Sequence, residues 1–96
     1  MKQRYVIHLG DLDFLITNIG DQALQESLEQ AKQNGPILAA GKYATGRIAV
    51  TLDEAEADLL VDLLSRLFSE IGLRPDSEPN PIGLQIESLI DIFNRV

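Results

Sequence analysis

His8 is the only histidine among 96 residues, so any Ser-His-Asp nucleophile in this chain has to be built on it. If the chain turns at Gly10-Asp11, Asp13 comes to lie across a hairpin from His8 and could orient its ring. The third member is missing. Ser27, Ser65, Ser69, Ser77 and Ser88 all lie far from this pair in sequence, and none sits in a nucleophile-elbow pattern. The pair therefore reads as a surface His-Asp contact. With no cysteine, thiolate zinc sites, iron–sulfur clusters, disulfides and a cysteine nucleophile are ruled out together. A two-histidine metal motif is equally impossible, and no glycine-rich dinucleotide fingerprint occurs. We expect no catalytic set, no cofactor and no metal.

The densest run of carboxylates is TLDEAEADLL at 51–60, which supplies Asp53, Glu54 and Asp58, followed by Asp62. Hard cations need oxygen ligands converging from several directions, whereas these acids stack along one side of a helix. A helix start explains them better. Thr51 as N-cap with Glu54 three residues on forms the reciprocal pattern T-x-x-E, and Asp53 faces the positive end of the helix. At 100° per residue Glu54, Asp58, Asp62, Ser65, Arg66, Ser69 and Glu70 then share one wet arc, with Asp62 and Arg66 in the favourable i,i+4 order. Together with Asp76 and Glu78, the acids Asp53, Glu54, Asp58 and Asp62 offer a surface that could cap a basic partner.

Bases and flexible backbone meet at Gly41-Lys42 and Gly46-Arg47, a composition that suits a small anion. A P-loop is excluded, because Tyr43 and not Ser or Thr follows the lysine. Lys42 and Arg47 are expected at a hairpin tip, with an anion site as the weaker alternative.

Net charge is −7, and its distribution is uneven: residues 1–50 carry five acids and five bases, residues 51–96 ten acids and three bases. An acidic surface repels phosphate backbones, so nucleic acid is not an expected partner. The length suits one domain over residues 1–96, and 45% apolar residues with few aromatics imply a core of Leu, Ile, Val and Ala. No stretch of about 18 apolar residues is present to cross a bilayer. The charged start followed by an apolar run is broken by Asp11 and Asp13, unlike a secretory signal. A cytoplasmic location without membrane attachment is the expectation.

These side chains need elements to place them. RYVIHLGDLDFLIT predicts a hairpin with strands at about residues 3–9 and 12–18, because a Gly10-Asp11 turn sets Leu9 against Leu12, Ile7 against Phe14 and Tyr5 against Ile16 on one face. A helix should follow, capped at Gly20-Asp21. It carries Leu24, Leu28 and Ala31 inward, shows Gln22, Gln25, Glu26 and Glu29 to water, and stops at Asn34-Gly35-Pro36. ILAAGKYATGRIAVTL predicts a second hairpin with a Thr45-Gly46 turn pairing Tyr43 with Ile48, Gly41 with Val50 and Ala39 with Leu52.

The helix at 52–71 places Leu59, Leu60, Val61, Leu63, Leu64, Leu67, Phe68 and Ile71 over an arc of roughly 200°, wider than the ~100° needed to dock on one sheet. It must be covered on two sides, by the last helix or by another chain. Gly72 is the expected left-handed terminator, with Leu73 folding back on Phe68. RPDSEPNP forms a stiff connection, and Asn80 caps a final helix with Pro81 at its first position. That helix, at about 81–95, turns Ile82, Ile86, Leu89, Ile90, Phe93 and Val96 to one face.

The fold class that follows is α+β, ordered β-β-α-β-β-α-α, with a four-stranded antiparallel sheet from two hairpins and three helices. The missing catalytic set and the wide apolar arc favour a non-enzymatic interaction or regulatory module, a homodimer or a binder of a protein partner. Its candidate interface residues are Leu59, Val61, Leu63 and Phe68 on the helix and Val6, Leu15 and Leu38 on the outer sheet. The alternatives are an acidic, immunity-type inhibitor and a small-anion binder.

Overall fold

The computed structural model describes residues 2–94 and orders them β1 (Lys2–His8), α1 (Leu9–Asn18), α2 (Gln22–Asn34), β2 (Leu38–Ala39), β3 (Tyr43–Ala44), β4 (Arg47–Asp53), α3 (Glu54–Ile71) and α4 (Pro81–Phe93). The α+β class holds, but the details differ. There are four helices among the described residues, and two separate two-stranded antiparallel sheets, β1-β4 and β2-β3, replace the single four-stranded one.

The first hairpin does not form. Residues 9–18 are helical, and β1 pairs instead with β4, with Tyr5 opposite Val50, Ile7 opposite Ile48 and His8 opposite Arg47. The reason lies in two periodicities that the segment carries at once. Leu9, Leu12, Leu15, Ile16 and Ile19 recur at helical spacing while Leu12, Phe14 and Ile16 alternate, and the helical solution buries Leu12, Leu15 and Ile19 completely or nearly so. Asp11 then sits in the first turn of α1, where a carboxylate is favoured. Asp13 lies on α1 and meets Lys32 of α2 at 3.4 Å, so the expected His8–Asp13 contact is absent.

The second hairpin is displaced. The turn is at Ala40-Gly41, where both residues have positive φ (52° and 70°) and Lys42 N–H donates to Ala39 C=O, the type I′ geometry of short hairpins. It joins only Leu38 to Ala44 and Ala39 to Tyr43. Residues 47–53 form a strand as predicted, but its partner is β1.

α2 follows the sequence closely. Asp21 accepts from Leu24 N–H at 3.0 Å as N-cap, and Leu24, Leu28 and Ala31 are buried. Gln25, expected in water, is half-buried. Its amide donates to the Ile16 and Ile19 carbonyls, satisfying backbone acceptors at the end of α1.

α3 starts two residues later than expected. Asp53, not Thr51, is the N-cap, with Glu56 closing the box: Glu56 N–H donates to Asp53 at 2.7 Å and Asp53 N–H to Glu56 at 3.2 Å. Thr51 is unavailable because β4 continues through it. At the other end Gly72 has φ −92°, right-handed, so the left-handed terminator is not used. Leu73 bridges to Pro79 and is exposed. What demands glycine at 72 is space, since a Cβ there would come 2.8 Å from the Phe68 carbonyl.

Asn80 caps α4 through a 2.8 Å bond from Gly83 N–H, with Pro81 at the first turn, as predicted. Ile86, Leu89 and Phe93 are buried, whereas Ile82 is exposed; Arg95 and Val96, assigned to this helix from sequence, lie outside the described residues.

One apolar cluster joins all four helices to the ribbon β1-β4. The ribbon contributes Tyr5, Ile7, Ile48, Val50 and Leu52 from its inner face, and α3 contributes Ala57, Leu60 and Leu64. Val61, Leu63, Leu67 and Phe68 pack against the cluster partly buried. α3 is thus flanked by the other elements over most of its apolar arc, and the burial of these leucines supplies the main stabilisation.

Candidate functional site

Strand alternation sorts the ribbon into two unlike faces. Tyr5 and Ile7 of β1 and Ile48, Val50 and Leu52 of β4 enter the core, so in the opposite phase Lys2, Arg4, Val6 and His8 share the outer face with Arg47, Ala49, Thr51 and Asp53. None of these outer residues is buried; α2 borders Lys2, Ala49 and Thr51, its buried Ala31 lining the same cleft, whereas Arg4, Val6, His8 and Arg47 line the groove beside β1. In a chain of net charge −7, this one face gathers three of the eight Lys and Arg residues together with the single histidine.

Hydrogen-bond phase follows the same alternation. Leu9 N–H donates to Gly46 C=O at 3.0 Å, extending the β1-β4 ladder one step beyond His8 and Arg47. In an antiparallel pair, groups facing the partner recur every second residue. Gln3, Tyr5 and Ile7 therefore turn their N–H and C=O toward β4, and Arg4 and Val6 turn theirs outward. The Arg47 carbonyl, out of phase as required, accepts from Ile37 N–H on the far side of β4 at 2.8 Å.

The two edges of the ribbon differ. Along β4, Ile37 occupies one backbone group and α2 lies close, with Ala23, Ser27 and Ala31 facing Ala49 and Thr51 across a shallow cleft. Beside β1 no strand is paired among the described residues, and a groove of about 600 Å³ runs along residues 3–8, closed at its sides by Arg47 and by Ile92 of α4. On its inner side Tyr5 is buried and packs its ring 5.1 Å from that of Phe93. A free strand edge beside a basic face can bind a polypeptide backbone and opposite charge together.

The residues singled out from sequence are scattered. Among the proposed interface residues, Leu15 is fully buried on α1 and unavailable; it was placed outward only because α1 was read as a strand. Val61, Leu63 and Phe68 are partly buried against the core, Leu59 is 39% exposed, Leu38 stands exposed on β2, and Val6 lies in the groove beside β1. Of the acids, Asp53 is engaged as the helix cap and Asp76 accepts from Glu78 N–H within its own loop at 3.1 Å. Glu54, Asp58 and Asp62 line the exposed side of α3, and no group of three potential metal ligands forms among the described residues. Arg66 stays beyond ion-pairing distance of Asp62.

Lys42 and Arg47 do not form a pair around one groove. Arg47 faces His8 on the ribbon and lines the β1 groove, and Lys42 sits in the β2-β3 turn outside it. Sequence reasoning missed Arg4 and His8 as partners of Arg47. The signal was the alternation K-x-R-x-V-x-H in β1, which becomes meaningful only once β4 is known to be its neighbour. No known protein family, curated protein or solved structure matches this chain.

Proposed function

We propose that the protein is a non-enzymatic interaction module whose binding surface is the β1 side of the ribbon. The observation that carries this reading is the β1 edge, unpaired among the described residues, with its outward backbone groups at Arg4 and Val6 and its groove of about 600 Å³. His8 faces Arg47, and Asp13 has gone to α1, which leaves the imidazole without an orienting carboxylate from that source. A protein partner is favoured over nucleic acid by the net charge of −7. No helix among the described residues is long and apolar enough to cross a membrane, and a reducing cytoplasm is the proposed compartment for this cysteine-free chain.

Affinity capture from host-cell extract tests the proposal, with Val6→Pro as the matched control. The Val6 N–H points away from β4, so proline there removes an edge donor without breaking the ladder. A protein retained by the wild type and lost from Val6→Pro is the expected result. Identical profiles would reject the β1 side as the binding surface.

A second reading, self-association, is favoured by the exposed Ile71, Leu73, Ile82 and Leu84, which flank the contact between Gly72 and Gly83 at the end of the α3-α4 pair. Sedimentation at micromolar concentration should then show a dimer that Leu84→Glu dissociates; a monomeric wild type contradicts it.

A further inference from the structure

Resting on the reading of the β1 side as the binding surface, we infer that the occupant of this edge is an extended peptide strand with acidic side chains at alternate positions. Its backbone would pair with the outward N–H and C=O groups of Arg4 and Val6. Its acids would lie on the outer face, beside Arg4, His8 and Arg47.

Three features select this occupant. Backbone phase and side-chain phase coincide in β1: the residues whose amides are free, Arg4 and Val6, are also those whose side chains lie on the outer face. A strand added at this edge places every second side chain beside Arg4 and Val6 on that face, so basic residues there read alternate positions of the ligand. The intervening positions turn toward Ile92, which borders the groove and favours apolar side chains.

Charge excludes a second copy at the same edge. β1 reads KQRYVIH and contains no acid, so joining two β1 edges opposes bases to bases or to Val6 without one compensating pair. Bases on an exposed edge are a common guard against self-pairing, and the same guard attracts a strand of opposite sign. Single-stranded nucleic acid is the other polymer that a basic groove can hold. It draws on aromatic stacking as well as charge, yet Tyr5, the one Phe, Tyr or Trp of β1, is turned inward and packed on Phe93, which leaves only the His8 ring on that face.

Fluorescence anisotropy with short labelled peptides tests the inference on the full chain. One peptide alternates Glu with Val, one alternates Thr with Val, one alternates Lys with Val, and a labelled single-stranded DNA oligonucleotide is the fourth probe. Tightest binding by the Glu peptide is expected, lost in Val6→Pro and weakened about tenfold by the exposed double reversal Arg4→Glu/Arg47→Glu. Circular dichroism of both variants shows whether the fold is kept, and the double reversal leaves every ladder bond in place should Val6→Pro disturb it. Equal binding of Glu and Thr peptides, abolished by Val6→Pro, would overturn charge selection while leaving the edge as the binding surface. Binding of none of the peptides would overturn both. Preference for the oligonucleotide, unchanged in Val6→Pro, would likewise reject a peptide strand as the occupant.

Discussion

Gly83 of α4 packs against Gly72 so closely that a methyl group built on Gly83 would overlap the Gly72 carbonyl oxygen. That carbonyl is fixed in place, because it accepts from Asn80 N–H at 2.9 Å while the Asn80 amide donates to Ile71 C=O at 2.8 Å and its side-chain oxygen caps α4. Neither helix can retreat without breaking this loop. Gly83→Ala should therefore destabilise by about 1–3 kcal/mol through overpacking. Thermal melting reads this as a fall of roughly 4–8 °C per kcal/mol for a domain of this size. An unchanged melting temperature would show that the helices are not in such close contact.

The two candidate caps of α3 make a sharp comparison. Asp53→Ala removes the acceptor for Glu56 N–H and also loosens Glu56, which accepts from the Ser27 hydroxyl of α2 at 2.6 Å. A loss of about 0.5–2 kcal/mol is expected in urea denaturation for such a cap. Thr51→Ala, on the exposed face of β4, should stay within about 0.5 kcal/mol of wild type. The reverse order would return the cap to Thr51.

Leu15 and Leu59 were both assigned to an interface from sequence, and the fold separates them. Leu15 is fully buried on α1, so Leu15→Ala should lose about 2–5 kcal/mol. Leu59 is 39% exposed, and Leu59→Ala should lose much less, within about 1 kcal/mol, on the usual scale for surface sites. Chemical denaturation of the two variants measures the gap directly; comparable losses would contradict helical packing of residues 9–18.

How far the fold could be read beforehand depended on how local its signals are. Asp21 and Gly35 bracket α2, and Asn80-Pro81 opens α4, because caps and breakers act within a turn of the chain. The greasy side of α3 was also plain, with Leu60 and Leu64 at the centre of its arc. Residues 9–18 misled because LGDLDFLITNI satisfies both the strand period and the helix period, and only the rest of the core decides between them. TLDEAE held two overlapping capping patterns, T-x-x-E and D-x-x-E. The choice fell to Asp53 once β4 claimed Thr51.

The site was the least legible part. Arg4 and Arg47 are 43 positions apart in number, and their sharing of one face follows from a long-range pairing that no local turn announces. A hairpin closed by Gly10-Asp11 was the nearer solution for β1. Arg47 was noticed for its neighbouring glycine, yet its companions on the ribbon are Arg4 and His8, and Lys42 belongs to another turn.

Native-state amide hydrogen exchange along β1 tests the free edge most directly, because N–H groups on the two sides of one strand report separately. Tyr5 and Ile7 should exchange slowly, protected by β4, while Arg4 and Val6 exchange far faster in the isolated protein. Equal, strong protection at all four positions would mean that the edge is already occupied and would contradict the account.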